Sequence, residues 1–492
     1  MVKNKHCLLF TIIMLSYTLN SQSIQSIKED LLFLSKQFKD SLNFNGSLFV
    51  AKNNEVLLDK SYGYSNFEHL TRITNETPFR IASVSKMFTS YAIYILASQS
   101  KLGLEDKVVK YIPELQSKFN DIKISHILNH RSGLSRTVDN YLESAPHLTY
   151  SSDEIISAVN KTDLAFHPDE SFQYSNVGYS LLGLIIESVT NQSYKEAMNT
   201  LIFAPLDLKQ TSHEVESQIF KGLASGYNFL EGKTLKSEHE NKSHVLAAGS
   251  IISSISDLYC FSQEILKGTL LTKELHQQYL TLDQNFRTHG GLITWNYTSK
   301  FPLEKEEGQI VMHSGLCPGF SSTVAIFLEH NLIVIGLSNR NPIDMSKVYN
   351  ILGNVALGFE KEEVNTPTIG KLNALIINGE FYEALKQYKA LLNKDDALKI
   401  KAAELNNLGY GYLQYQMYDK AIYVFTFFTM VYPENANAYD SLGEAYVRDN
   451  NTDQAIKAYK KAIELNPNNS QAKMVLQSLV NQQANLIKEK NE

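Results

Sequence analysis

A period of 34 residues governs the last quarter of the chain. Leu408, Gly409, Tyr412, Ala421, Phe425 and Pro433 recur as Leu442, Gly443, Tyr446, Ala455, Tyr459 and Pro467, each pair the same distance apart. A fixed period with small, aromatic and proline positions in register describes a helix–turn–helix unit. One such unit leaves an apolar face open, so the units have to stack. Leu405 and Tyr439 stand where such units prefer Trp. An earlier helix pair with Gly379, Ala384 and Tyr388 reads as a degenerate first unit, offset by a three-residue insertion. Ser470 to Lys488 reads as the helix that caps the stack.

These features resemble the tetratricopeptide repeat, and residues 370–492 are read as an all-α repeat domain. Such stacks offer concave surfaces, so a protein partner or docking within the same chain is expected of it. Residues 361–369 (KEEVNTPTI) are polar, carry a proline, and read as the linker in front.

The rest of the 492 residues is long enough for one large domain, and 43% hydrophobic with 20% charged residues describes a chain that folds. A net charge of −6 without a long basic run excludes nucleic acid as the main partner. Lys3 and Lys5, the apolar run Cys7 to Leu19 and the polar residues Asn20 to Ser23 read as an export signal over residues 1–22. The expected product is exported, periplasmic or secreted, with no integral membrane span after cleavage. Cys260 and Cys317 then remain, too few for a disulfide framework, and are expected as unpaired thiols. The chain has no CxxC, HExxH or His/Cys cluster, so neither a metal nor a cofactor is expected.

Residues 23–360 begin and end in β-rich runs. Gln25 to Leu42 has helical periodicity. Gly46 to Ala51 and Glu55 to Lys60 read as a hairpin turning at Asn53-Asn54, and Phe320 to Leu328 with Leu332 to Ser338 as a second. Helical patterns such as Ser83 to Ser100 and Asn176 to Thr190 lie between. The arrangement predicts one sheet completed by both ends of a mixed domain.

Three short motifs carry chemistry. Ser83-Val-Ser-Lys86 is an S-x-x-K box, whose spacing puts a hydroxyl and an amine on one helical face. A serine nucleophile needs such a base within reach. Tyr174-Ser-Asn176 is a Y-x-N box and His313-Ser314-Gly315 an H-x-G box. Each also occurs elsewhere, as Ser98 to Lys101, Tyr64 to Asn66 and His289 to Gly291. The alternatives fail on context. Ser98 ends its helix, Tyr64 follows a hairpin, and no strand pattern follows His289.

In order and context the first set resembles the serine β-lactamase-related family, which includes class C β-lactamases, DD-peptidases, D-aminopeptidases and esterases. Supporting segments are Phe79 to Ile81, Lys101 to Asp106, Tyr111 to Pro113, Ile124 to Leu134, Phe172 to Gly183, Ala247 to Asp257, Met312 to Phe320 and Ser338-Asn339. The resemblance implies an α/β (α+β) β-lactamase/transpeptidase-like domain with an antiparallel sheet flanked by helices. It implies that Ser83 attacks an acyl carbonyl and that Lys86 or Tyr174 takes its proton. Tyr174 would also serve the leaving group. Asn176 would orient Lys86 or bind substrate, and His313, Ser314, Gly315 and Leu316 would line the opposite wall. The amides of Ser83 and Leu316 would form the oxyanion hole.

Penicillin-recognising members typically carry Lys-Thr-Gly at the third box. A histidine there, mostly neutral at neutral pH, weakens a fixed positive charge for a carboxylate. The expected substrate is therefore a peptide, amide or ester. β-Lactam hydrolysis is the alternative, as is a binding or sensing protein that keeps the fold. Arg340 is read as a surface ion-pairing residue rather than a carboxylate ligand.

Overall fold

The computed structural model describes residues 23–137, 148–281, 288–289, 292–298 and 307–491, apart from 216, 239, 342, 360, 362–363, 365, 395–397 and 468. The export signal read at residues 1–22 lies outside the described residues. Among them, no helix is long and apolar enough to cross a membrane. The chain divides into two compact units, residues 1–227 with 236–364, and residues 228–235 with 365–492.

The first unit is built on a seven-stranded sheet. Its strands are β1 (Gly46–Lys52), β2 (Glu55–Tyr62), β3 (Thr288–His289), β4 (Leu292–Thr298), β5 (Glu307–Cys317), β6 (Phe320–Phe327) and β7 (Leu332–Ser338). The spatial order is β3-β4-β5-β6-β7-β1-β2, and the paired neighbours run antiparallel. The two ends of the segment meet where β1 pairs with β7, Gly46 opposite Ser338. The β1–β2 turn has φ of 51° at Asn53 and 66° at Asn54, the left-handed pair that a two-residue hairpin requires and that Asn tolerates.

Side chains alternate along each strand, and both faces of the sheet are covered. One face sets Leu48, Val50, Ala325, Phe327 and Val334 against helices α1 (Ile24–Leu42) and α5 (Met345–Ala356). The other sets Phe49, Val324, Ile326, Ile333 and Ile335 against α2 (Ser85–Ser98), α3 (Asn176–Thr190) and α4 (Ile255–Lys267). Phe88 of α2 stacks on Phe261 of α4 with centroids 3.8 Å apart. Burial on two faces explains the apolar runs Val324 to Phe327 of β6 and Leu332 to Leu337 of β7. Cys260 and Cys317 are free thiols.

The second unit holds α6 (Thr368–Ile377), α7 (Phe381–Leu392), α8 (Ala402–Gln414), α9 (Tyr418–Val431), α10 (Ala436–Arg448), α11 (Thr452–Leu465) and α12 (Ser470–Asn491). The pair α8–α9 is repeated as α10–α11 at the 34-residue offset. Packing sets the period. A methyl added at Gly409 would lie 2.4 Å from Phe425, and one at Gly443 2.9 Å from Tyr459. A small residue on the first helix thus admits the ring of the second. Two details differ from the sequence reading. Helix α6 starts at Thr368, inside the stretch read as linker. Residues 228–235, read as part of the first domain, cluster with the repeats. There Leu230 is buried in the repeat core and Asn228 donates to Gln414 Oε1 at 2.8 Å. Nothing in those eight residues names such neighbours, because their contacts are remote in sequence.

Candidate active site

Ser83 stands in a short 3₁₀ turn, Ala82–Val84, that leads into α2. The sequence reading started an α-helix at Ser83, whereas α2 starts at Ser85. Ala82 has φ of 45°, so the residue before the serine takes a conformation that side chains disfavour. The turn packs against β5. A methyl added at Gly315 would lie 2.1 Å from the Ile81 carbonyl oxygen and 3.1 Å from Ala82 Cβ, and Ser322 on β6 donates to the same carbonyl at 2.7 Å. Gly315 is thus a point of close backbone approach. Gly315→Ala is expected to push strand and turn apart and lower kcat/KM about a hundredfold, the cost of a displacement near 1 Å. Ester turnover with circular dichroism as the fold control measures this.

Lys86 lies on the first turn of α2 and is completely buried. Its Nζ is 2.7 Å from Ala248 O, 2.9 Å from Asn176 Oδ1 and 3.2 Å from Ser83 Oγ. The two carbonyl oxygens accept two N–H groups. A neutral amine has no third, so its lone pair faces the Ser83 hydroxyl. Burial, followed by the charge of Arg136, holds Lys86 well below the usual lysine range. Among the described residues no carboxylate is hydrogen-bonded to it to restore the charge.

Tyr174 precedes α3, with Ser175 as N-cap accepting the Gly178 N–H at 2.9 Å. Lys86 Nζ lies 4.9 Å from the centre of its ring, and Ser83 is close enough to act on its hydroxyl. Burial pushes its phenol up to about 12, against the opposing effects of Ser83 and Arg136. Tyr174 is therefore protonated at neutral pH while Lys86 is the stronger candidate for the free base.

His313 on β5 is buried, its ring 6.0 Å from that of Tyr174. Its Nδ1 lies 2.8 Å from Ser314 O, an acceptor, so the proton of the neutral ring sits there. Burial, then the nearby Lys86, pushes it down to about 3. The third box therefore carries no cation at neutral pH. Ser314 is turned away from Gly315 toward β6, donating to Thr323 Oγ1 at 3.2 Å, and the Leu316 side chain is exposed. The structure thus gathers Ser83, Lys86, Tyr174 and Asn176 into one polar group with His313 and Gly315 beside it, and leaves the side chains of Ser314 and Leu316 apart.

A support went unassigned in the sequence. His130 is buried with its ring 4.5 Å from Tyr174 and 5.1 Å from Tyr179. Its Nδ1 accepts the Ser175 N–H at 3.1 Å, and its carbonyl accepts the Gln173 N–H at 2.9 Å. It holds both neighbours of Tyr174. Its place in the Ile124 to Leu134 segment was a signal, but not of this contact. Arg340 donates to Asn43 O at 3.2 Å and lies over the Phe67 ring at 5.9 Å. A cavity of about 230 Å³ lies nearby, lined among others by Tyr150, His213, Glu214, Lys242 and Leu246. It adjoins the Ser83 turn through Glu214, which takes the Arg80 guanidinium in a two-pronged pair at 2.8 and 2.6 Å.

The β-lactamase family profile matches residues 37–354, and a tetratricopeptide repeat profile matches residues 436–469. Penicillin-binding protein 4* of Bacillus subtilis (strain 168) is 28% identical over 331 residues, which cover 64% of this chain and 72% of that protein. FmtA from Staphylococcus aureus superposes with a TM-score of 0.56 at 22% identity, covering 70% of this chain and 94% of FmtA. The D-amino acid amidase from Ochrobactrum anthropi SV3 does so with a TM-score of 0.56 at 21% identity, covering 67% and 98%. With a family profile spanning well over half of its length and an antiparallel sheet of the same fold, the chain belongs to the β-lactamase family of serine hydrolases, followed by a tetratricopeptide repeat.

Proposed function

We propose that the protein is an exported hydrolase that cleaves a peptide, amide or ester through an acyl-enzyme on Ser83. The observation that carries this is the single polar group formed by Ser83, Lys86, Tyr174 and Asn176. Ser83 Oγ attacks the acyl carbon and its proton passes to the neutral Lys86. Asn176 Oδ1 and Ala248 O hold that amine in place. The tetrahedral oxyanion is stabilised by the amides of Ser83 and Leu316. Tyr174 gives its proton to the leaving atom and recovers one from Lys86, so the acyl-enzyme forms with no net proton gained or lost. Water then releases the acid by the same steps in reverse. The neutral His313 at the third box favours amide, peptide and ester substrates over β-lactams. The repeat unit serves a protein contact.

A panel of nitrocefin, a D-Ala-D-Ala peptide, D-amino acid amides and short-chain esters tests the reading. Turnover of an ester, amide or peptide faster than nitrocefin is expected. A folded protein that turns over no member and takes up no acylating probe would falsify it.

A further inference from the structure

Two backbone carbonyls reach helix α2 from a segment far along the chain, and the residue in front of them is strained. The 3₁₀ stretch Ser243–Ala248 is two turns joined by a kink at Leu246, where φ is 30° and ψ −116°. These angles are close to the first central position of a type II′ turn, which glycine dominates because a Cβ is crowded there. Before the kink, Lys242 O accepts the N–H groups of Val245 and Leu246 at 3.2 and 3.1 Å. After it, the next two carbonyls leave the turn. Ala247 O accepts the Thr89 hydroxyl at 2.7 Å, and Ala248 O accepts the Lys86 amine at 2.7 Å. Lys86 and Thr89 share one face of α2, so successive carbonyls meet successive positions along it.

Packing is what holds a leucine in a glycine conformation. Val245 O accepts the Ser180 hydroxyl of α3 at 3.1 Å. A methyl added at Gly183, three residues on, would lie 3.1 Å from Leu246 Cδ2 and 2.7 Å from Ala247 Cβ. The segment is thus pressed on α3 by its side chains and bonded to α2 by its carbonyls, and the kink lets it do both.

We propose that Leu246 is a positioning residue, whose strained backbone turns the Ala248 carbonyl onto Lys86 and so aims the amine at Ser83. This rests on the function proposed above, in which Lys86 takes the Ser83 proton. The amine keeps Asn176 Oδ1 as a second anchor, so a loosened Ala248 carbonyl misdirects it without releasing it. An acceptor carbonyl also binds an ammonium more strongly than an amine, so its loss favours the neutral form.

The test uses full-length variants and the substrate that wild type turns over best. Leu246→Met keeps the apolar contact and is expected to stay within about threefold of wild type in kcat/KM. Leu246→Ala and Leu246→Gly lose the contact. For both, a loss of about tenfold or more is expected, with the rise of kcat/KM moved to lower pH. Lys86 is also faced by Tyr174, Tyr179, His130, His313 and the charge of Arg136. None of these is altered, so the shift reports the carbonyl. Strain is read separately by urea denaturation. Leu246→Gly is expected to unfold at higher urea than Leu246→Ala. At an unstrained site the order is the reverse, because glycine loses more chain entropy on folding. Should neither truncation fold, Leu246→Ile decides. Its branched Cβ opposes a positive φ, so it is expected to unfold at lower urea than Leu246→Met. Leu246→Ala as stable as Leu246→Gly, Leu246→Ile as stable as Leu246→Met, or truncations that keep the wild-type rate or pH profile overturn the assignment. Wild type that turns over no substrate and takes no acylating label removes the parent reading instead, while the urea order still tests the strain.

Discussion

Ser83→Ala is expected to reduce kcat/KM by about 10⁴-fold or more on whichever substrate the wild type turns over best. The substitution removes one oxygen and leaves Lys86, Tyr174 and Asn176 in place. What remains is binding and attack by unactivated water. The fold should survive, because Ser83 is half-exposed in a short turn and the alanine removes no apolar packing. Steady-state kinetics with circular dichroism measures both. A variant within tenfold of wild type would place the nucleophile elsewhere.

The second large effect concerns Lys86. Lys86→Met keeps the length of the side chain and removes the amine, and a loss of about 10³-fold or more in kcat/KM is expected. Lys86→Arg should lose as much, since a guanidinium keeps its proton and is too large for a site with no exposed surface. The wild-type rate should rise with pH through the lysine's folded pKa, because only the free amine accepts the serine proton. That pKa lies well below the usual lysine range, so the rise comes at lower pH than an ordinary lysine permits. Stability follows the same sign. Between the folded pKa and the ordinary value the unfolded chain holds a proton that the folded chain lacks, so the unfolding free energy increases with pH in that window. Lys86→Met removes this dependence, and it leaves Asn176 Oδ1 and Ala248 O without their donor at about 1–3 kcal/mol each. A Lys86→Met enzyme with an unchanged pH profile would contradict the role.

Much of this was legible in the sequence where the physics is local. The Asn53-Asn54 hairpin, the α3 helix, and the repeat period each depend on residues close in the chain or at a fixed offset. The Ser83–Lys86 spacing belongs to the same class. What stayed hidden depends on contacts remote in sequence. The Ala248 carbonyl is 162 positions from the lysine it binds. His130 touches the Tyr174 turn 45 positions later. Ser314 and Leu316 share the strand of Gly315, but side chains alternate along it, so a box of three adjacent letters does not face one site.

The most direct test of the account is the site of acylation. Wild-type protein is treated with a fluorophosphonate, its intact mass is measured, and the modified peptide is mapped. The account predicts one adduct per chain, on the peptide that carries Ser83, absent in Ser83→Ala. An adduct on another residue, or folded wild type that takes up none, would contradict it.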